Sequence, residues 1–159
     1  MTLTRVSFTD ETGHTTQLTP QGYAQSVLLD SGTSATLLTD DVFSALSNGF
    51  GAVDMGDEEY VVPCRFANIN GNSTYSFGGN GGPTIVVPVS QVIGDQVLTP
   101  DNFGDESGGC DFGFGPPIDG SSILGDTFCV RRMRFSISTI MSRLWPRQRR
   151  TKQTLPALR

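Results

Sequence analysis

The chain has 159 residues, enough for one domain with a real core, and its 19 Gly, 9 Pro and single Lys argue against long surface helices. No apolar run approaches the roughly 18 residues of a membrane-spanning helix. The net charge of −5 is unevenly spread: residues 1–130 hold all sixteen acids with only Arg5 and Arg65, a balance of −14, whereas 131–159 hold nine basic residues and no acid, a balance of +9.

Residues 3–18 alternate loosely (Val6, Phe8, then Thr15, Gln17, Leu18) about the turn Asp10-Glu11-Thr12-Gly13, which predicts a hairpin. Thr19-Pro20-Gln21-Gly22 ends it. A strand over 24–29 follows, and its run Val27-Leu28-Leu29 predicts burial on both faces. That strand leads into Asp30-Ser31-Gly32-Thr33-Ser34. A carboxylate at such a strand end is partly desolvated and needs donors; three hydroxyls and the closely approaching backbone at Gly32 can supply them.

Beyond a short apolar Thr36-Leu37-Leu38, Thr39 or Asp40 caps a helix with Val42, Phe43 and Leu46 on one face, stopped by Asn48-Gly49. Asp54 to Glu59 reads as an acidic loop and Tyr60 to Phe66 as a strand, with Pro63 marking an edge or bulge. Residues 68–72 form a turn, Ser73 to Phe77 a returning strand, and Gly78 to Pro83 a link into the strong strand signal Thr84–Val89. Residues 99–120 read as a long loop around Cys110 with a brief strand at Phe112 and Phe114, and 122–128 is the last patterned segment. These short apolar segments, broken by Gly, Asn, Asp and Pro, predict an all-β fold with one or two short helices.

Three cysteines allow one pair and leave one over. Cys64 and Cys110 have no Cys or His neighbour at metal-ligand spacing, so no zinc site is expected. If they pair, the closed loop stabilises the fold by roughly 4 kcal/mol in the chain-entropy model and implies an oxidising compartment. Asn72-Ser73-Thr74 is a glycosylation acceptor pattern that points the same way. His14, the sole histidine, lies in a polar hairpin and makes a weak base for a nucleophile triad. The acids Asp54, Asp57, Glu58 and Glu59 read as a solvated loop before a cation site. Gly78-Gly79-Asn80-Gly81-Gly82 has the composition of a phosphate cradle, yet no Lys or helix follows it.

Asp30-Ser31-Gly32-Thr33 behind an apolar strand, together with the distant Ile123-Leu124-Gly125-Asp126, resembles the C-terminal lobe of the pepsin-like aspartic endopeptidases, most in the manner of fungal secreted or cell-surface members. The resemblance covers residues 1–128. It implies one all-β lobe of a bilobal fold and peptide-bond hydrolysis by an aspartate dyad and activated water, with peptide or protein substrates and neither metal nor cofactor. By position, Asp30 matches the catalytic aspartate of this lobe and Thr33 the hydroxyl bonded to it. Ser31 matches the residue that ties the two lobes' active loops, and Gly32 and Thr33 match backbone that contacts substrate. Ile123, Leu124 and Gly125 match the segment that crosses behind the aspartate. The resemblance also implies a Cys64–Cys110 disulfide.

The chain departs from that family in two ways. No second strand-borne Asp-x-Gly is present: Asp54-Met55-Gly56 and Asp119-Gly120 lack the flanking pattern, and Asp126 belongs to the crossing segment. The lobe carrying the first aspartate is therefore expected to be missing, and the chain to be inactive unless that lobe or a second copy supplies the partner. The alternative is a non-catalytic peptide- or protein-binding fragment.

Residues 129–159 depart from the family's continuation. Reading each codon one nucleotide earlier from Phe128 permits a string close to that continuation, so the basic tail is expected to come from a shifted frame and to be poorly ordered. Its charge could suit nucleic acid, but no nucleic-acid role is expected on a disulfide-bearing lobe. Losing the closing strands should expose apolar edges near Ile85–Val89 and Ile123–Phe128 and leave Cys129 unpaired. The resemblance implies a secreted or cell-surface location, although no signal peptide or anchor is visible.

Overall fold

The computed structural model describes residues 1–79, 81–98, 103 and 108–129. The tail expected over 129–159 lies outside them except for Cys129, as does much of the first half of the 99–120 loop.

The chain opens with β1 (Thr2–Thr9), which pairs with β2 (Thr15–Gln17) as an antiparallel hairpin. Asp10 closes its turn, with Oδ1 accepting from the backbone N–H groups of Thr12 and His14 at 2.9 and 3.0 Å and from the Thr12 hydroxyl at 2.6 Å. Then come β3 (Gln25–Leu29), β4 (Thr36–Leu37) and helix α1 (Asp40–Phe50). The helix buries Val42, Phe43, Leu46 and Phe50, and Asp40 and Asp41 in its first turn complement the helix dipole. It runs through Asn48-Gly49 and ends at Gly51, which takes the left-handed conformation (φ 64°) that lets its N–H return to Asn48 O.

The segment expected to be an acidic loop is half of a hairpin, β5 (Val53–Gly56) with β6 (Glu59–Pro63). Asp57 and Glu58 join them, both at positive φ, the geometry that matches strand twist in a two-residue turn. The strand expected over 60–66 stops at Pro63, and Cys64–Asn68 coil into a 3-10 helix. β7 (Asn72–Phe77) alternates strictly, turning Ser73, Tyr75 and Phe77 inward, and pairs with β8 (Thr84–Pro88). A helical turn α2 (Val89–Val92) leads into β9 (Ile93–Leu98), a strand absent from the expectations. β10 (Gly109–Phe112), β11 (Phe114–Gly115), β12 (Ser122–Leu124) and α3 (Asp126–Cys129) complete the described chain.

Among the described residues, the larger sheet has the order β11-β4-β12-β3-β1-β7-β8, with β2 also on β1, and the smaller one the order β5-β6-β10-β9. The fold is therefore all-β with few short helices. β12 lies between β3 and β4, parallel to β3 (Ser122 opposite Val27, Leu124 opposite Leu29) and antiparallel to β4. Phe50 joins helix and sheets: its ring meets Phe8, Phe66 and Phe112 at centroid distances of 5.2, 5.1 and 5.4 Å. A Cys64–Cys110 disulfide staples the 3-10 helix to β10.

One burial expectation needs correction, and the expected apolar edges hold near Ile85–Val89 but not at Leu124 and Phe128. Val27 is buried, but Leu28 beside it is 60% exposed, so β3 is covered on one face only. Exposed apolar surface occurs at Leu28 and Val86 (53%), whereas Leu124 and Phe128 are buried, because Phe128 packs its ring against Tyr75 and Phe77.

Candidate active site

β3 delivers Asp30 to a turn fixed from both sides. The Asp30 N–H donates to Leu124 O at 3.1 Å, and the Thr33 N–H returns to Asp30 O at 3.3 Å. The carboxylate takes one donor on each oxygen: the Gly32 N–H on Oδ1 and the Thr33 hydroxyl on Oδ2, both at 2.9 Å. The close approach at residue 32 suits glycine, since a Cβ there would lie 3.1 Å from Oδ1. The Gly32 N–H, and then the Thr33 hydroxyl, hold the Asp30 carboxyl below its ordinary range against a smaller opposing effect of burial.

The crossing segment supplies the floor. A Cβ on Gly125 would run into the Ala35 carbonyl oxygen and approach that of Thr33 to 2.5 Å, so only glycine allows this contact. Just beyond, the Asp126 N–H donates to Thr33 O at 2.7 Å and the Thr127 N–H to Ser34 O at 3.2 Å. Leu124 is fully buried and Ile123 half-buried, opposite Leu28 and Leu37. Ser31 is exposed. Asp30, Gly32, Thr33, Leu124 and Gly125 thus form one contiguous unit.

The other candidate residues lie in other places. His14 sits in the β1–β2 turn, bonded through its backbone to Asp10. Asn72 is half-buried at the start of β7, between Thr9 and Pro88. Asp54 accepts from Gly56 N–H within its own hairpin, and no group of three or more His, Cys, Asp or Glu among the described residues could hold a metal ion. Gly78, Gly79 and Gly81 adopt positive φ in the β7–β8 connection, a turn role. Cys129 is unpaired and half-buried on α3; burial first, then the charges of Asp126 and Asp30, push its thiol up. An apolar cavity of about 330 Å³ between the first hairpin and α1, lined by Phe8, Leu18 and Phe50, shares no residue with the Asp30 turn.

One pair near the site has no counterpart in the sequence pattern. The Thr36 and Thr127 hydroxyls meet at 2.9 Å across 91 residues of chain, and Thr127 Oγ1 donates to Gly113 O at 3.0 Å. Thr127 stands in the 122–128 segment and Thr36 opens Thr36-Leu37-Leu38, but no spacing links the two, and only the fold brings them together.

Residues 1–136 match the family model described as eukaryotic aspartyl protease. The chain is 33% identical over 127 residues to "Probable aspartic-type endopeptidase opsB" of Aspergillus fumigatus, covering 79% of this chain and 25% of the relative. It is 32% identical over 123 residues to Candidapepsin-2 of Candida parapsilosis, covering 74% and 27%. A solved aspartic proteinase from Irpex lacteus aligns with a TM-score of 0.49 and 18% identity, over 79% of this chain and 36% of that one. The chain spans about a quarter of the length of these curated relatives. No helix among the described residues is long and apolar enough to cross a membrane.

Proposed function

Because the chain belongs to the eukaryotic aspartyl protease family, we propose that it contributes Asp30 as one carboxylate of a two-carboxylate centre that hydrolyses peptide bonds with activated water. The donor pair on Asp30, Gly32 N–H on one oxygen and the Thr33 hydroxyl on the other, carries this reading. A carboxylate held ionised can draw a proton from water, while a second carboxyl sharing the same proton serves as the acid; two such groups close together do not both ionise. On this reading the second carboxylate comes from a preceding lobe or a second copy, and residues 1–128 alone are inactive. Ser31 is exposed, where its hydroxyl can engage the partner loop, and Leu28 and Val86 offer that partner apolar surface. The disulfide supports a secreted or cell-surface setting.

The test is sedimentation of the purified chain together with titration of a pepstatin-type inhibitor and an unfolded protein substrate near pH 4. A monomer with weak inhibitor binding and no cleavage is expected. Cleavage abolished by Asp30→Ala would overturn the claim of inactivity, and cleavage indifferent to that change would overturn the role of Asp30. A second reading, a non-catalytic binding fragment, is favoured by the exposed Leu28. It requires peptide binding that survives Asp30→Ala and ignores the inhibitor.

A further inference from the structure

We propose that Thr127 is a positioning residue for the Asp30 turn: its hydroxyl, clamped between Thr36 and the Gly113 carbonyl, seats α3 against the backbone that carries the carboxylate's hydroxyl donor. The role rests on the reading of Asp30 as a reacting carboxylate.

A threonine hydroxyl has one hydrogen. Thr127 spends it on Gly113 O, 3.0 Å away, so the Thr36 hydroxyl must be the donor in the 2.9 Å contact with Thr127 Oγ1. Gly113 O also accepts the Thr36 N–H at 2.9 Å. The three residues therefore close a small ring of hydrogen bonds. Thr36 is fully buried, so little water is at hand to replace a missing member. Gly113 is shaped to this neighbour, because a Cβ on it would lie 2.5 Å from Thr127 Cγ2.

The ring bears on the site through the backbone. Thr127 donates its own N–H to Ser34 O, and its neighbour Asp126 donates to Thr33 O at 2.7 Å. Thr33 is the residue whose hydroxyl reaches Asp30 Oδ2. Any shift of α3 thus passes directly to the residue holding the carboxylate. Valine at 127 would keep the side-chain shape and remove both hydroxyl bonds, leaving the Thr36 O–H without its acceptor. Of the elements packed around the turn, β3, β4 and β12 bring no titratable group; α3 brings Asp126 and Cys129.

The experiment is a carboxyl NMR titration of the full chain, with the Asp30 resonance assigned through Asp30→Asn. Thr127→Val should raise the Asp30 midpoint by about half a pH unit, as when a hydrogen bond to a carboxylate loosens. Thr127→Ser, which keeps the hydroxyl, should leave it at the parent value. A folded Thr127→Val chain with the parent midpoint overturns the proposal, as does a Thr127→Ser shift equal to that of Val. Should Thr127→Val fail to fold, Thr36→Val removes one member of the ring and must move the midpoint the same way; an unchanged value there also overturns it. The midpoint is read without substrate or inhibitor. Cleavage indifferent to Asp30→Ala would therefore count against the proposed function and leave this result intact.

Discussion

Gly125→Ala isolates the contact between the crossing segment and the Asp30 turn. Adding a methyl to a glycine at ordinary φ usually stabilises a protein by about 0.4–1 kcal/mol, because the unfolded chain loses freedom. Here the new Cβ would overlap the Ala35 carbonyl and come within 2.5 Å of Thr33 O. Both obstacles are backbone: Thr33 O is held by the Asp126 N–H, and the carbonyl of Ser34, just before Ala35, by the Thr127 N–H. Neither can swing aside as a side-chain tip would. Overpacking of this sort costs about 1–3 kcal/mol, and the upper end applies where backbone must move.

With a urea m-value of about 1.5 kcal/mol/M for a domain of this size, a loss near 3 kcal/mol lowers the urea midpoint by about 2 M. Gly49→Ala is the internal control. Gly49 lies in α1 with nothing within 4 Å of its would-be Cβ, so the same chemical change should stabilise by about 0.5–1 kcal/mol. Urea unfolding followed by fluorescence gives both numbers. A Gly125→Ala midpoint at or above that of the parent would refute the close crossing.

Reducing the Cys64–Cys110 bond, which spans 46 residues, should cost about 4 kcal/mol in the chain-entropy model; unfolding with and without reductant measures it, and coincident curves would speak against the bond. Thr33→Val removes one of the two donors on Asp30 and should move its NMR titration midpoint up towards the ordinary carboxylate range. Because the folded value is depressed, the stability Asp30 lends is present above its unfolded pKa and disappears as pH falls through the folded one, so Asp30→Asn should flatten the acid limb of the stability curve. Tyr75 is fully buried and its hydroxyl makes no hydrogen bond of good geometry in the described structure; burial pushes that phenol up, with a smaller opposing effect of the Ser73 hydroxyl. Tyr75→Phe should therefore be neutral or stabilising by about 1 kcal/mol on thermal unfolding, and a loss of similar size would reveal a hidden partner.

The sequence exposes what is local and periodic. β7 alternates without exception, the α1 face is spaced for a helix, and Asp30 with its following Gly and Thr stands out in the chain. It conceals what depends on partners. β5 alternates only over Val53 and Met55, both exposed, too short a signal to mark a strand, and its turn residues Asp57 and Glu58 look like a solvated loop. β9 contains Gly94, Asp95 and Gln96, poor strand formers held by pairing with β10. Asn48-Gly49 looked like a helix stop, but only Gly51 adopts the left-handed conformation that ends α1. In Val27-Leu28-Leu29 composition alone implies two covered faces, whereas exposure of Leu28 depends on what else packs there. The Thr36–Thr127 pair is invisible by nature, since hydroxyl residues are common and 91 positions part them.

The place of β12 between β3 and β4 also sets a clock. Leu29 ends β3, and Leu124, which accepts the Asp30 N–H, is made 95 residues later. At a synthesis rate of about 5–20 residues per second, β3 waits about 5–20 s for its parallel neighbour. Through that interval both flanks of the future crossing are open, and the strand beside Asp30 has an unpaired edge available to any other extended segment. The acidic turn is therefore encoded near the start of this sequence and assembled near its end.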